Sequence, residues 1–193
     1  MTSSGGARAV LVRHGETEWS RDGRHTSTTE LPLTAVGEQQ AQAVGRRLQG
    51  WTFTAVLVSP RQRAVETVRQ LGFGDRAEVC DDLAEWDYGE YEGCTGDEIR
   101  ADRPGWNLWS DGAPGGETAA AVAERADRMI EGVRAAGGDV LIVSHGHFLR
   151  ALTARWLDEP VATGGRFKLG TATLSVLGWE HGRPAVEEWN CAG

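Results

Sequence analysis

Lysine is almost missing from this chain of 193 residues: Lys168 is the only one, and arginine carries nearly all of the positive charge. Cysteine is scarce too. Cys80, Cys94 and Cys191 form no close-spaced pair, which excludes a disulfide framework and the common metal-ligand spacings. Reduced thiols and a cytoplasmic location are the expectation. No apolar run is long enough to cross a membrane. The polar start, Met1 to Gly6, precedes an apolar stretch far too short for a signal peptide. The net charge of -8 argues against a general affinity for nucleic acid or anionic membrane. Any anion site must therefore be a local cationic pocket in an acidic body. There is no repeat, linker or low-complexity tract, so residues 1–193 read as one domain with a sizeable core.

Two short stretches stand out. Ala9-Val10-Leu11-Val12 reads as a buried strand, and Arg13-His14-Gly15-Glu16 follows it. Val140-Leu141-Ile142-Val143 reads as another, followed by Ser144-His145-Gly146-His147. Two strands that each deliver a His-Gly to the carboxyl edge of a sheet point to a site there, where open α/β sheets hold their ligands. Between them come Ser59-Pro60-Arg61-Gln62-Arg63-Ala64, Leu83-Ala84-Glu85 with Gly89 and Glu92-Gly93, and Gly115-Gly116-Glu117-Thr118.

In that order these motifs resemble the histidine phosphatase superfamily, whose other well-known branch is the cofactor-dependent phosphoglycerate mutases. The resemblance covers essentially the whole chain. Trp19-Ser20 and Glu85-Trp86-Asp87-Tyr88-Gly89 place it nearest a branch that includes bacterial acid phosphatases and a sedoheptulose bisphosphatase. It implies a three-layer αβα sandwich around a mostly parallel sheet with an antiparallel edge. It also implies hydrolysis of phosphate monoesters, of a small metabolite such as a sugar phosphate, through a phosphohistidine. Mutases usually carry asparagine where Ser20 stands and a longer insertion around the acid glutamate; both departures favour hydrolysis. A mutase, and a phosphoprotein phosphatase of the same fold, are the alternatives.

The residue types suit that chemistry. Neutral imidazole attacks phosphorus, and covalent catalysis splits one hard step into two; the resemblance assigns this to His14. The planar forks of Arg13 and Arg63 suit a phosphoryl group, and His145 would donate to it as imidazolium. Glu85, between Leu83 and Trp86, could be held protonated by partial burial and protonate the leaving group; Asp87 is the runner-up. No metal and no cofactor is required. Thr17, Ser20 and Gly146 complete the implied substrate-binding set. Arg24, His25 and Trp106 are candidates for the rest of the substrate, although His25-Thr26-Ser27-Thr28 replaces the glycine-containing stretch usual there.

Pattern places the remaining elements. Thr34 caps a helix with Ala35, Ala41, Val44 and Leu48 as its apolar stripe, ended by Gly50. Residues 53–58 form a strand. Ser59 caps the next helix, with Pro60 at its first position, and that helix end is a ready anion site. Residues 77–80 form a short strand and 95–100 a short helix. Trp106 and Trp109 share one helical face, as a satellite core or as a wall of the site. A long helix runs from 116 to about 136 on Val122, Ala126, Met129, Ile130 and Val133. Residues 148–157 are helical. Residues 167–169, 171–179 and 185–189 are strands, the last an edge that could pair with a second copy.

Overall fold

The computed structural model describes residues 6–193; residues 1–5 of the polar start lie outside them. In chain order the elements are β1 (Ala9–Arg13), α1 (Glu18–Arg21), α2 (Ala35–Arg47), β2 (Ala55–Val58), α3 (Gln62–Gln70), β3 (Ala77–Val79), α4 (Gly96–Asp102), α5 (Leu108–Asp111), α6 (Ala119–Ala135), β4 (Val140–Ser144), α7 (Gly146–Trp156), β5 (Thr173–Glu180) and β6 (Arg183–Ala192). The strands form one sheet in the order β3-β2-β4-β1-β5-β6. The first four are mutually parallel, and β5 and β6 run antiparallel at one side.

The apolar run of β1 explains the layering. Successive strand side chains point to opposite faces, and here both faces are covered. Ala9 and Leu11 join the core under α6 and α7. Val10 and Val12 join the core under α2 and α3. β4 does the same, with Ile142 on one side and Leu141 and Val143 on the other. Each fully buried side chain of this kind contributes about 1.5–3 kcal/mol. The result is the expected three-layer sandwich, with β1 and β4 side by side at its centre.

Several of the helices begin where a threonine hydroxyl caps them. Thr34, Thr95 and Thr118 each accept a hydrogen bond from a first-turn N–H of α2, α4 and α6. The α6 stripe Val122, Ala126, Met129, Ile130 and Val133 is entirely buried. In α2 the stripe holds at Ala41 and Val44, but Ala35 is exposed and Gly37 is buried in its place.

Other expectations need correction. α3 starts at Gln62, with Arg61 at its cap and no side-chain cap bond, so Ser59 and Pro60 lie outside it. Residues 167–169 are not a strand; they form the loop before β5. Trp106 precedes α5 and only Trp109 lies within it, so the two do not share a helical face. The edge strand is longer than expected, and its register with β5 is interrupted twice. Its hairpin turns on His181 and Gly182, both at positive φ, the conformation that matches strand twist in a two-residue turn. None of the described helices is long and apolar enough to cross a membrane.

Candidate active site

The carboxyl ends of β1 and β4 meet in register, Arg13 opposite Ser144. The next residues carry the two histidines, whose rings lie 5.2 Å apart centre to centre. The chain leaves β1 under tight constraint. The N–H of His14 continues the ladder to the Ser144 carbonyl, and the N–H of Gly15 donates to Thr67 Oγ1 of α3. A Cβ on Gly15 would stand 2.5 Å from the Gly37 carbonyl oxygen. Glycine is required there because the backbone of α2 comes so close.

His14 is 5 % exposed, and its Nδ1 lies 2.8 Å from the Gly15 carbonyl oxygen. A carbonyl only accepts, so Nδ1 carries the hydrogen. Burial, then Arg63 and Arg13, holds the imidazole well below its ordinary pKa, so it is neutral. A neutral ring with its hydrogen on Nδ1 has its free lone pair on Nε2.

His145 is fully buried. Its Nε2 is 2.6 Å from Ser59 Oγ, and its Nδ1 has no partner. Burial, Arg63 and His14 hold its pKa well below the ordinary value. His145 is therefore neutral, and the expectation of an imidazolium is corrected. If the Ser59 hydroxyl donates to Nε2, the hydrogen of His145 sits on Nδ1, which has no other partner.

The Arg13 guanidinium packs on Gly146 and donates to the Leu169 carbonyl at 2.7 Å. Arg63, in the first turn of α3, is fully buried. Its terminal nitrogens donate to the carbonyls of Thr26, Ser27 and Thr29. The Nε atoms of both arginines are buried without a partner. The N-terminus of α3 is not open to an anion, because Glu30 accepts from the N–H of Gln62 at 2.7 Å. Arg63 contributes through its guanidinium instead.

Glu85 reaches the site from the loop before α4, which three tethers hold in place. Ser144 Oγ donates to the Leu83 carbonyl, Trp86 Nε1 donates to the Glu117 carbonyl, and Arg125 donates to the Ala84 carbonyl while pairing with Glu117. The carboxylate is buried as expected, but its setting is polar. It accepts from the backbone N–H groups of Trp86, His147 and Phe148 at 2.9, 3.1 and 2.8 Å. The last two belong to the first turn of α7. Asp87 faces solvent and binds the N–H of Gly89, which removes it as the alternative acid.

A cavity of about 150 Å³ opens onto these groups. Arg13, His14, Glu85, Ser20, Arg24, His25 and Gly146 line it. Arg63 and His145 stand behind its wall. Besides Arg63, two more expected binding residues do not reach it. Thr17 is buried as the cap of α1 in a reciprocal pair with Ser20. Trp106 is buried, donates to the Gly112 carbonyl and packs edge-on to His25 and Tyr91; it faces a neighbouring cavity. Trp109, packed on Trp86 and His147, backs the wall, so the tryptophans are both satellite core and wall.

The match to the superfamily extends over the same ground: the sequence profile of the histidine phosphatase superfamily (branch 1) fits residues 9–192. The chain belongs to this superfamily. An acid phosphatase of Mycobacterium tuberculosis is 45% identical over 179 residues, 91% of this chain and 88% of its own. The sedoheptulose 1,7-bisphosphatase of Saccharomyces cerevisiae is 36% identical over 182 residues, 77% of this chain and 67% of its own. The solved structure of an open reading frame product of Mycobacterium tuberculosis superposes with a TM-score of 0.90 at 42% identity, covering 96% of this chain and 98% of the other.

This histidine phosphatase also brings to the cavity three residues that sequence reasoning did not place there: Tyr88, His147 and Arg150. His147 had a signal, since it stands two residues past His145. Ser59 was read as a helix cap, and its contact with His145 spans 86 positions.

Proposed function

We propose that this histidine phosphatase hydrolyses phosphate monoesters of small metabolites, of the sugar phosphate class, through a phosphohistidine on His14 Nε2. The observation that carries the reading is the hydrogen bond from His14 Nδ1 to the Gly15 carbonyl, which leaves Nε2 as the free lone pair in a buried, neutral ring.

In the first step Nε2 bonds to phosphorus as the phosphorus–oxygen bond to the leaving group breaks. Glu85 gives its proton to the departing oxygen. In the second, water attacks phosphorus, Glu85 takes back a proton, and the phosphorus–nitrogen bond breaks to release phosphate and neutral His14. Charge on the phosphoryl oxygens is met by Arg13, Arg63 and His145, whose Nε and Nδ1 atoms have no other partner. Such preorganised donors in a water-poor site stabilise the transition state without reorganisation. No step calls on a metal ion. Ser20, Arg24 and His25 line the outer part of the cavity and would contact the non-transferred part of the substrate.

The small cavity of about 150 Å³ supports a small substrate over a phosphoprotein. The unpaired Cys80, Cys94 and Cys191 support a reducing, cytoplasmic setting. The β6 edge is where a second copy could extend the sheet, which light scattering at assay concentration tests.

The test is phosphate release with chelator present, across sugar monophosphates and bisphosphates, phosphoglycerates, nucleotides and a phosphopeptide. Release on sugar phosphates, lost in His14→Ala together with an acid-labile phosphoryl label on the protein, is expected. Isomerisation of 3-phosphoglycerate without release would make the chain a mutase and overturn the reading.

A further inference from the structure

Two titratable side chains beside Glu85, the buried Tyr88 and the half-buried His147, have no part in the steps above. Tyr88 and His147 both line the cavity. Tyr88 Oη lies 2.6 Å from His147 Nδ1. Burial and the facing Glu85 carboxylate push the phenol well above its ordinary range, so it keeps its hydrogen. Burial, Arg150 and His25 hold the imidazole well below its own, so it is neutral. Two neutral groups at this distance share one hydrogen bond, and its direction follows the tautomer of His147.

The lone pairs of Glu85 give that direction a meaning. Oε1 accepts from the N–H groups of Trp86 and Phe148, and Oε2 accepts only from that of His147. A carboxylate oxygen has two lone pairs, so Oε1 is full and Oε2 has one position left. The proton destined for the leaving oxygen must sit at that position. The Tyr88 hydroxyl, which lines the same cavity as Glu85 and His147, competes for it. When His147 carries its hydrogen on Nδ1, that hydrogen goes to Tyr88 Oη and the hydroxyl donates to Oε2. When Nδ1 is bare, the hydroxyl donates there and leaves Oε2 to the transferable proton.

We propose that Tyr88, held by His147 Nδ1, is a positioning residue for the proton donor: its hydroxyl moves between Glu85 Oε2 and His147 Nδ1 and so decides whether the last acceptor site of Glu85 is filled or free. This rests on the reading of Glu85 as the general acid. It assigns His147 a role that neither its backbone N–H nor a packing contact would fill.

The test uses two aryl phosphates, phenyl phosphate and 4-nitrophenyl phosphate, and reads kcat/KM, which reports the step in which the leaving group departs. Phenolate needs the proton and 4-nitrophenolate scarcely does. In Glu85→Gln the ratio of phenyl to 4-nitrophenyl phosphate activity should fall by about 100-fold. In His147→Ala, where the hydroxyl has only Oε2 to turn to, it should fall by at least about tenfold; in Tyr88→Phe and in the Tyr88→Phe/His147→Ala double variant, where nothing competes for Oε2, it should stay within about threefold of the parent. His147→Asn, whose amide can stand near the Nδ1 position, should keep the ratio within about threefold of the parent. A steep Glu85→Gln effect with an unchanged ratio in His147→Ala would make these side chains merely structural and overturn the proposal. A ratio that falls as far in Tyr88→Phe as in His147→Ala would do the same. A flat ratio in Glu85→Gln would overturn the reading of Glu85 itself, and the proposal with it.

Discussion

His145 shows how one hydrogen bond sets the use of a buried residue. Its ring is enclosed and neutral, and Ser59 occupies Nε2 at 2.6 Å. If the Ser59 hydroxyl donates, Nδ1 is the N–H that remains for a phosphoryl oxygen. Without Ser59 the ring is free to take the other tautomer, and the hydrogen no longer points to the substrate by default. Ser59→Ala is therefore expected to lower kcat/KM about tenfold, the worth of roughly one hydrogen bond, while the protein still forms the acid-labile phosphoryl label on His14. Steady-state kinetics on the best ester of the panel checks this, and an unchanged kcat/KM would show that His145 does not depend on Ser59.

At the scale of elements, what was legible was local. The α6 stripe and the threonine cap at 34 depend on residues within a few positions, and both appear as expected. β1 and β4 were legible because a parallel strand buried on both faces is apolar throughout. The misreadings share one cause. Ser59-Pro60 has the local form of a helix start, but Ser59 is engaged by a residue on another strand and Glu30 supplies the bond at the start of α3 instead. Phe167-Lys168-Leu169 has the local form of a strand but pairs with none, and its carbonyls serve Arg13 and Trp189 instead. In the same way the proposed catalytic set His14, Arg13, Arg63, Glu85 and His145 was named through the family resemblance, whereas the Tyr88–His147 pair depends on two segments 59 positions apart.

The close packing of the β1 loop on α2 is a contact between elements with a definite cost. A methyl on Gly15 would press on the Gly37 carbonyl, and backbone cannot swing away as a side chain can. Gly15→Ala should destabilise the fold by about 1–3 kcal/mol and displace His14 as well. Denaturant unfolding measures the first and phosphate release the second. A fully stable, fully active variant would show that the loop and α2 separate easily.

For the whole molecule, the buried histidines couple the site to acid stability. Burial lowers the pKa of His14, His145 and His147 well below the ordinary value. In the unfolded chain the same residues titrate near 6.5. Below that pH the unfolded state binds protons that the folded state refuses, so stability rises with pH and falls on acidification. The loss begins as pH drops through about 6.5 and continues until the folded histidines themselves take protons. For a histidine that stays neutral when folded, moving from about pH 7.5 to 5.5 costs about 1.4 kcal/mol, and for three together about 4 kcal/mol. Carboxylates bring their own losses only at lower pH. Urea unfolding midpoints at these two pH values, at constant ionic strength, should therefore differ strongly. His147→Asn should remove about a third of the difference. A saturating phosphate-like anion such as vanadate should shrink it further, because a bound anion raises the folded pKa of His145 toward its unfolded value. Equal midpoints at both pH values would show that the three rings open to solvent and protonate in the folded state, and the neutral His14 on which the proposed chemistry depends would be lost with them.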